Sequence, residues 1–171
     1  RIVYLLYCLK SPQSYFGMDT NGFIDSINVA QNADIARNIY FSTLSNILRS
    51  APLFTDSSLP EYIAPHITQQ TVTFPKNIRL ISGNSENESW QGYTPILIIL
   101  DEIDAFKSEQ EMQRSHSLRS EGAEGVYNTA KSLVQSRFPG LGKIICLSWP
   151  RFKGSFIQRR FTNGKLENRT F

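Results

Sequence analysis

The sequence predicts an α/β fold: a layered sheet, at least partly parallel, flanked by helices. Three observations predict it. Strand and helix patterns alternate along the chain. Two segments, "ILIIL" (96–100) and "KIICLS" (143–148), are apolar at consecutive positions, as strands buried on both faces are. And 171 residues with 40% hydrophobic and 19% charged side chains suffice for one domain around a real core.

The elements follow in order. Residues 1–10 are apolar nearly all round and read as a buried helix, which "SPQSYFG" breaks through Pro12 and Gly17. "GFIDSINVA" reads as a strand with Ile24, Ile27 and Val29 in the core. Residues 32–49 read as an amphipathic helix, with Ala36, Ile39, Tyr40, Leu44, Ile47 and Leu48 at helical spacing and Asn32 or Asp34 as cap. "SAPLFTDSSLPEYIAPH" holds three prolines and reads as a loop with one short turn. "QQTVTFPKNIRLIS" reads as two short strands joined at "PKN", followed by the polar loop "GNSENESWQGYTP". After the "ILIIL" strand, residues 104–121 are charged and helical in part, and 126–138 form a second good helix. "PGLGK" is a turn, "KIICLS" a buried strand, and a short last helix starts near Gly154.

Other classes find little support. The formal charge of +3 suits an anionic partner without demanding one. Cys8 and Cys146 sit in apolar runs and read as buried, reduced thiols. His66 and His116 are isolated, and no Cys or His lies at zinc-ligand spacing. No uninterrupted apolar stretch is long enough to span a bilayer.

In α/β sheets ligands bind beyond the carboxyl ends of the strands. "TPILIILDEIDAF" places Asp101 and Glu102 at such an end, where folding alone requires no acid. Four aliphatics followed by Asp-Glu form the Walker B pattern: the first carboxylate suits Mg²⁺, a hard cation, and the second suits activation of a water. The plainer reading is a strand followed by a helix that Asp101 caps. "KIICLSWPR" is again a strand ending in a small polar residue, and Ser148 lies near Asp101 if the two strands are neighbours.

Taken together, these segments resemble the ATPase domain of the large terminase subunits of tailed phages, the motors that push DNA into a procapsid. The likeness runs from about residue 24 to about residue 161. "SINVAQNADIARNIYFSTLSNIL" is similar to that family's second strand and following helix, "NIRLISGNSENESWQGYTPILIILDEIDAF" to the stretch leading into Walker B, and "CLSWPRFKGSF" to its coupling motif. The resemblance implies a P-loop NTPase three-layer sandwich. It implies Asp101 as the Mg²⁺ ligand, Glu102 as the catalytic carboxylate and Ser148 as the coupling residue, at the nucleotide and in catalysis. ATP and Mg²⁺ are the implied cofactors. The implied partners are double-stranded DNA, a portal protein, a small terminase subunit and further copies in a ring, with no membrane; the implied setting is the cytoplasm of an infected bacterium.

Two features depart from the family. Trp149 stands where a small residue usually precedes the proline, and no G-x-x-x-x-G-K-[ST] loop occurs. Residues 1–10 look like the end of the helix that follows such a loop. Residues 1–171 are therefore expected to form one partial ATPase domain, truncated at the N-terminus and lacking a downstream nuclease domain, in which the parent hydrolyses ATP and these residues alone do not. The missing first strand is expected beside "KIICLS". An arginine that stabilises γ-phosphate charge is sought among Arg114, Arg119, Arg137 and Arg151, with Arg119 the candidate finger and Arg151 ordering the coupling turn. "RFKGSFIQRRF" reads first as an amphipathic helix with Phe152, Phe156 and Phe161 in the core, and second as a phosphate-contacting strip. Trp90 reads as a packing anchor. Two other functions remain open: a helicase-like ATPase, since "DEID" matches D-E-x-D, and an inert α/β interaction domain.

Overall fold

The computed structural model describes residues 1–85, 90, 92–106 and 122–166. Six strands form one mixed sheet: β1 (Ile24–Ala30), β2 (His66–Ile67), β3 (Thr71–Phe74), β4 (Ile78–Asn84), β5 (Pro95–Asp101) and β6 (Lys143–Leu147). Their spatial order is β2-β3-β4-β1-β5-β6. β1 pairs in parallel with β4 and β5, and β5 in parallel with β6. β2 and β3 add an antiparallel edge. Two of the parallel strands, β5 and β6, are the apolar runs that the sequence marks out, and β1 and β4 are the strands read at "GFIDSINVA" and "NIRLIS"; β2, two residues long, carries no pattern that could have revealed it.

The helices are α1 (Ile2–Tyr7), α2 (Pro12–Tyr15), α3 (Ala33–Ile35), α4 (Ser42–Ser50), α5 (Pro52–Thr55), α6 (Ala123–Arg137) and α7 (Phe156–Leu166). A π-helical segment, Ala36–Phe41, joins α3 to α4. One face of the sheet packs Ile27, Val29, Ile98 and Leu100 against Val126, Ala130 and Val134 of α6 and Phe156 of α7. A second cluster gathers Leu5 and Leu6 of α1, Phe41, Leu48, Ile78 and Phe74. The result is the three-layer α/β sandwich of P-loop NTPases.

Several expectations need correcting. α1 is not buried all round: Leu5 and Leu6 face the core, while Val3, Tyr4 and Tyr7 are exposed. Cys8, just past it, is exposed, and Cys146 is half-buried; both are free thiols. Burial pushes the Cys146 thiol up to about 11, although the Arg160 charge acts the other way. β6 is not a buried strand. It lies at the end of the sheet, and Lys143, Ile145 and Leu147 are exposed. The exposed residues alternate, so one face of the strand is left uncovered, which an apolar run in the sequence does not reveal.

The helix over 33–50 starts as expected, with the Ile35 amide donating to Asn32 Oδ1 at 2.9 Å. Its buried face then departs from α spacing. Ala36, Phe41, Ser45 and Leu48 are buried, whereas Tyr40 and Ile47 are exposed. The π turn carries one extra residue, so Phe41 takes the core position that a 3.6-residue period assigns to Tyr40.

The "PKN" turn holds Lys76 and Asn77 in the left-handed region. Asn accepts this readily and Lys does not. The Lys76 ammonium donates to the carbonyls of Leu6 and Leu9, which ties the turn to the end of α1. At the other connection, Gly142 brings the α6–β6 turn against α6: a Cβ there would stand 2.2 Å from Val134 Cγ1.

Candidate functional site

β5 is flanked by β1 and β6, and its run of aliphatic side chains carries Asp101 to the carboxyl rim of the sheet. Asp101 is 8% exposed. The chain then turns sharply. Glu102 adopts φ 54°, ψ 41°, a left-handed conformation that costs a non-glycine residue about 1–2 kcal/mol. Such strain persists where the surroundings over-determine it, often at functional sites. The turn swings the Glu102 carboxylate outward, where its side chain is 58% exposed and pairs with Arg151 at 3.6 Å.

The register sets Asp101 opposite Leu147, so Ser148 begins the chain's exit beside the β5 tip. Asp101, Glu102, Cys146, Leu147, Ser148 and Trp149 line a cleft of about 340 Å³. The two strands are neighbours, the condition on which the sequence set Ser148 near Asp101, and three of the four named site residues come together. Arg119, the fourth, lies outside the described residues, as do Arg114, His116 and most of the 104–121 helix. The Ser148 hydroxyl accepts the Asp104 amide at 3.1 Å and donates to the Trp149 carbonyl at 3.4 Å. Asp104 Oδ1 in turn accepts the Ile157 amide at 3.0 Å, capping the start of α7. A continuous path of hydrogen bonds thus runs from the β6 exit, through the turn after β5, into α7.

One residue of the site escaped the sequence reading. The Tyr40 hydroxyl has its pKa pushed up to about 12, first by hydrogen bonding toward the Asp101 carboxylate, then by burial and by the charges of Asp101 and Glu102. Tyr40, Asp101 and Glu102 share a second cleft of about 190 Å³ with Ala30, Gln31 and Ile35. Helical periodicity assigned Tyr40 to the core, and no local signal announces a π turn.

The basic strip divides. Arg159 and Arg160 both pair with Glu124 of α6, at 3.4 and 2.7 Å, and the Arg160 guanidinium lies 4.3 Å from the Tyr127 ring centroid. Of the three phenylalanines, Phe156 alone is in the core; Phe152, which precedes α7, and Phe161 are exposed. Trp149 is 85% exposed at the rim. Trp90 is the packing anchor expected, buried with its indole N–H on the Asn84 carbonyl at 3.2 Å.

Across the other face of the sheet, between α1 and the π segment, runs an apolar groove of about 390 Å³. Ser26 Oγ, Asn28 Nδ2 and Ser82 Oγ are buried along it without a hydrogen-bond partner among the described residues.

The donor set fits Mg²⁺ bound together with a nucleotide. Among the described residues no three acids, histidines or cysteines cluster to cage a metal. Mg²⁺ needs no such cage: one or two carboxylates suffice when phosphates and water complete its shell. Among the described residues no helix is long and apolar enough to cross a membrane.

No curated protein matches this chain. Among solved structures it is similar to the large terminase of bacteriophage HK97, at 17% identity and a TM-score of 0.41, covering 94% of this chain. The chain spans 34% of that terminase. The family model described as "Uncharacterized protein MJ0330, N-terminal P-loop domain" matches residues 1–171. Sheet and match agree: the chain belongs to this family of N-terminal P-loop domains, whose kind is nucleotide-binding.

Proposed function

We propose that this chain is the ATPase domain of a terminase-type motor that couples ATP hydrolysis to movement of double-stranded DNA. The observation that carries the reading is the shared cleft of Asp101, Glu102 and Ser148 at the tips of adjacent parallel strands. In this reading Asp101 holds Mg²⁺ beside the triphosphate, and the metal supplies charge neutralisation on the phosphates. Glu102 takes the proton from the attacking water. Its αL turn and its exposed position leave it free to exchange Arg151 for that water. Ser148 is the coupling residue, because its hydroxyl holds the turn from which α7 is capped.

The apolar groove beside α1 suits a further helix, which would cover its apolar side chains next to Ser26, Asn28 and Ser82, unpaired among the described residues. The free edge of β6 among the described strands suits one further strand. Trp149, Arg151, Phe152 and Lys153 form an exposed aromatic and basic rim next to the cleft, suited to DNA phosphates or a neighbouring subunit. Arg119 is the proposed finger. A portal protein, a small terminase subunit, a ring of copies and the cytoplasm of an infected bacterium complete the proposal.

The test is Glu102→Gln in the natural full-length protein. Turnover of ATP falls by about 10²–10⁴ while nucleotide affinity, measured by equilibrium titration, is retained. Normal turnover in that variant overturns the assignment of Glu102.

A further inference from the structure

Asp101 presents a physical problem. A carboxylate 8% exposed needs donors, because burying an unpaired charge is costly. A cationic partner would solve this and would also repel a second cation. Among the described residues Asp101 forms no ion pair and instead shares a cleft with a neutral phenol, that of Tyr40.

The backbone is shaped to deliver it. Ala36 and Phe41 are both buried five residues apart, and the segment between them is π-helical. Without the extra residue, Tyr40 would occupy the core position that Phe41 fills. With it, Tyr40 is 36% exposed and stands over the rim, in one cleft with Asp101 and Glu102. π turns are rare and collect at functional sites. Carboxylates that ligate metals are themselves held by hydrogen bonds, and loss of such a partner typically costs 10–100-fold in metal affinity.

We propose that Tyr40 is a positioning residue for the divalent cation: its hydroxyl, brought to the rim by the π turn, fixes the Asp101 carboxylate so that a free oxygen faces the nucleotide-bound metal. The inference rests on the reading of Asp101 given under Proposed function. Tyr40 touches neither metal nor phosphate; it acts through Asp101.

The experiment uses Mn²⁺ as the probe, followed by electron paramagnetic resonance, with the natural full-length protein saturated with a non-hydrolysable ATP analogue. Tyr40→Phe removes one oxygen from a partly exposed ring and is expected to fold. It weakens Mn²⁺ binding by about 10–100-fold, while affinity for the analogue in EDTA is unchanged. Asp101→Asn weakens Mn²⁺ binding as well, and adding Tyr40→Phe to it causes little further loss. Equal Mn²⁺ affinity in Tyr40→Phe and the unaltered protein overturns the inference and leaves the reading of Asp101 standing. Equal losses with and without metal, or additive losses in the double variant, also overturn it, since they mark a merely structural tyrosine. If the unaltered protein binds the analogue but Mn²⁺ does not depend on Asp101, the reading of Asp101 falls first and takes this inference with it.

Discussion

Asp25 and Asp101 are both buried aspartates on neighbouring strands, at opposite ends of the same sheet. At the base, Asp25 is 0% exposed and fully occupied. Arg79 Nε and Nη2 grip its two oxygens at 2.7 and 3.1 Å, and the Thr94 amide donates at 2.7 Å. The guanidinium is itself seated 3.8 Å from the Phe23 ring centroid. At the rim, Asp101 shares a cleft with the Tyr40 phenol and forms no ion pair among the described residues. Beside it, Glu102 is strained and its arginine pair is loose and solvated. The difference teaches how to tell the two kinds of buried charge apart. A carboxylate whose acceptors are all filled by the fold serves the fold. One with acceptors left open, as in the function proposed above, is free to serve something that arrives later.

The contrast can be broken by substitution. The largest expected effect is at the base: Asp25→Ala strands the Arg79 charge and the Thr94 amide, and should cost about 3–5 kcal/mol in urea unfolding. A cost below about 1 kcal/mol would mean that the two aspartates do not differ in kind. Next is the αL turn. Glu102→Gly relieves the left-handed strain but loosens the unfolded chain, for a net gain of about 0.5–1 kcal/mol, together with loss of hydrolysis. A drop in melting temperature would show that Glu102 is not strained. The smallest effect is at the exposed pair: Arg151→Ala should change stability by about 0.5 kcal/mol or less, because solvent screens Arg151–Glu102 as it cannot screen Arg79–Asp25.

What the sequence made legible follows the same physics. β5 announced itself because burial on both faces demands an apolar run, and Asp101 and Glu102 stood out because nothing in such a run calls for acid; β1 and β4 were legible from their spaced apolar residues and flanking turns. Asn32 was legible as a cap for its side-chain oxygen. The base pair was not: Asp25 and Arg79 are 54 residues apart and meet only through the β1–β4 register. Tyr40 was hidden for a different reason, since one inserted residue shifted the helix phase that assigned it to the core. β6 misled in its burial, not in its place: a strand is expected to be missing beside it, but its apolar composition did not show that one of its faces is uncovered.

The cap on α7 has a mechanical consequence. The Asp104 amide and carboxylate join the Ser148 hydroxyl to the first turn of an eleven-residue helix with no slack segment between them. That helix is roughly 16 Å long. A few degrees of tilt imposed at its root sweep its far end through about an ångström, so the fold contains a short lever whose fulcrum is the serine at the mouth of the cleft.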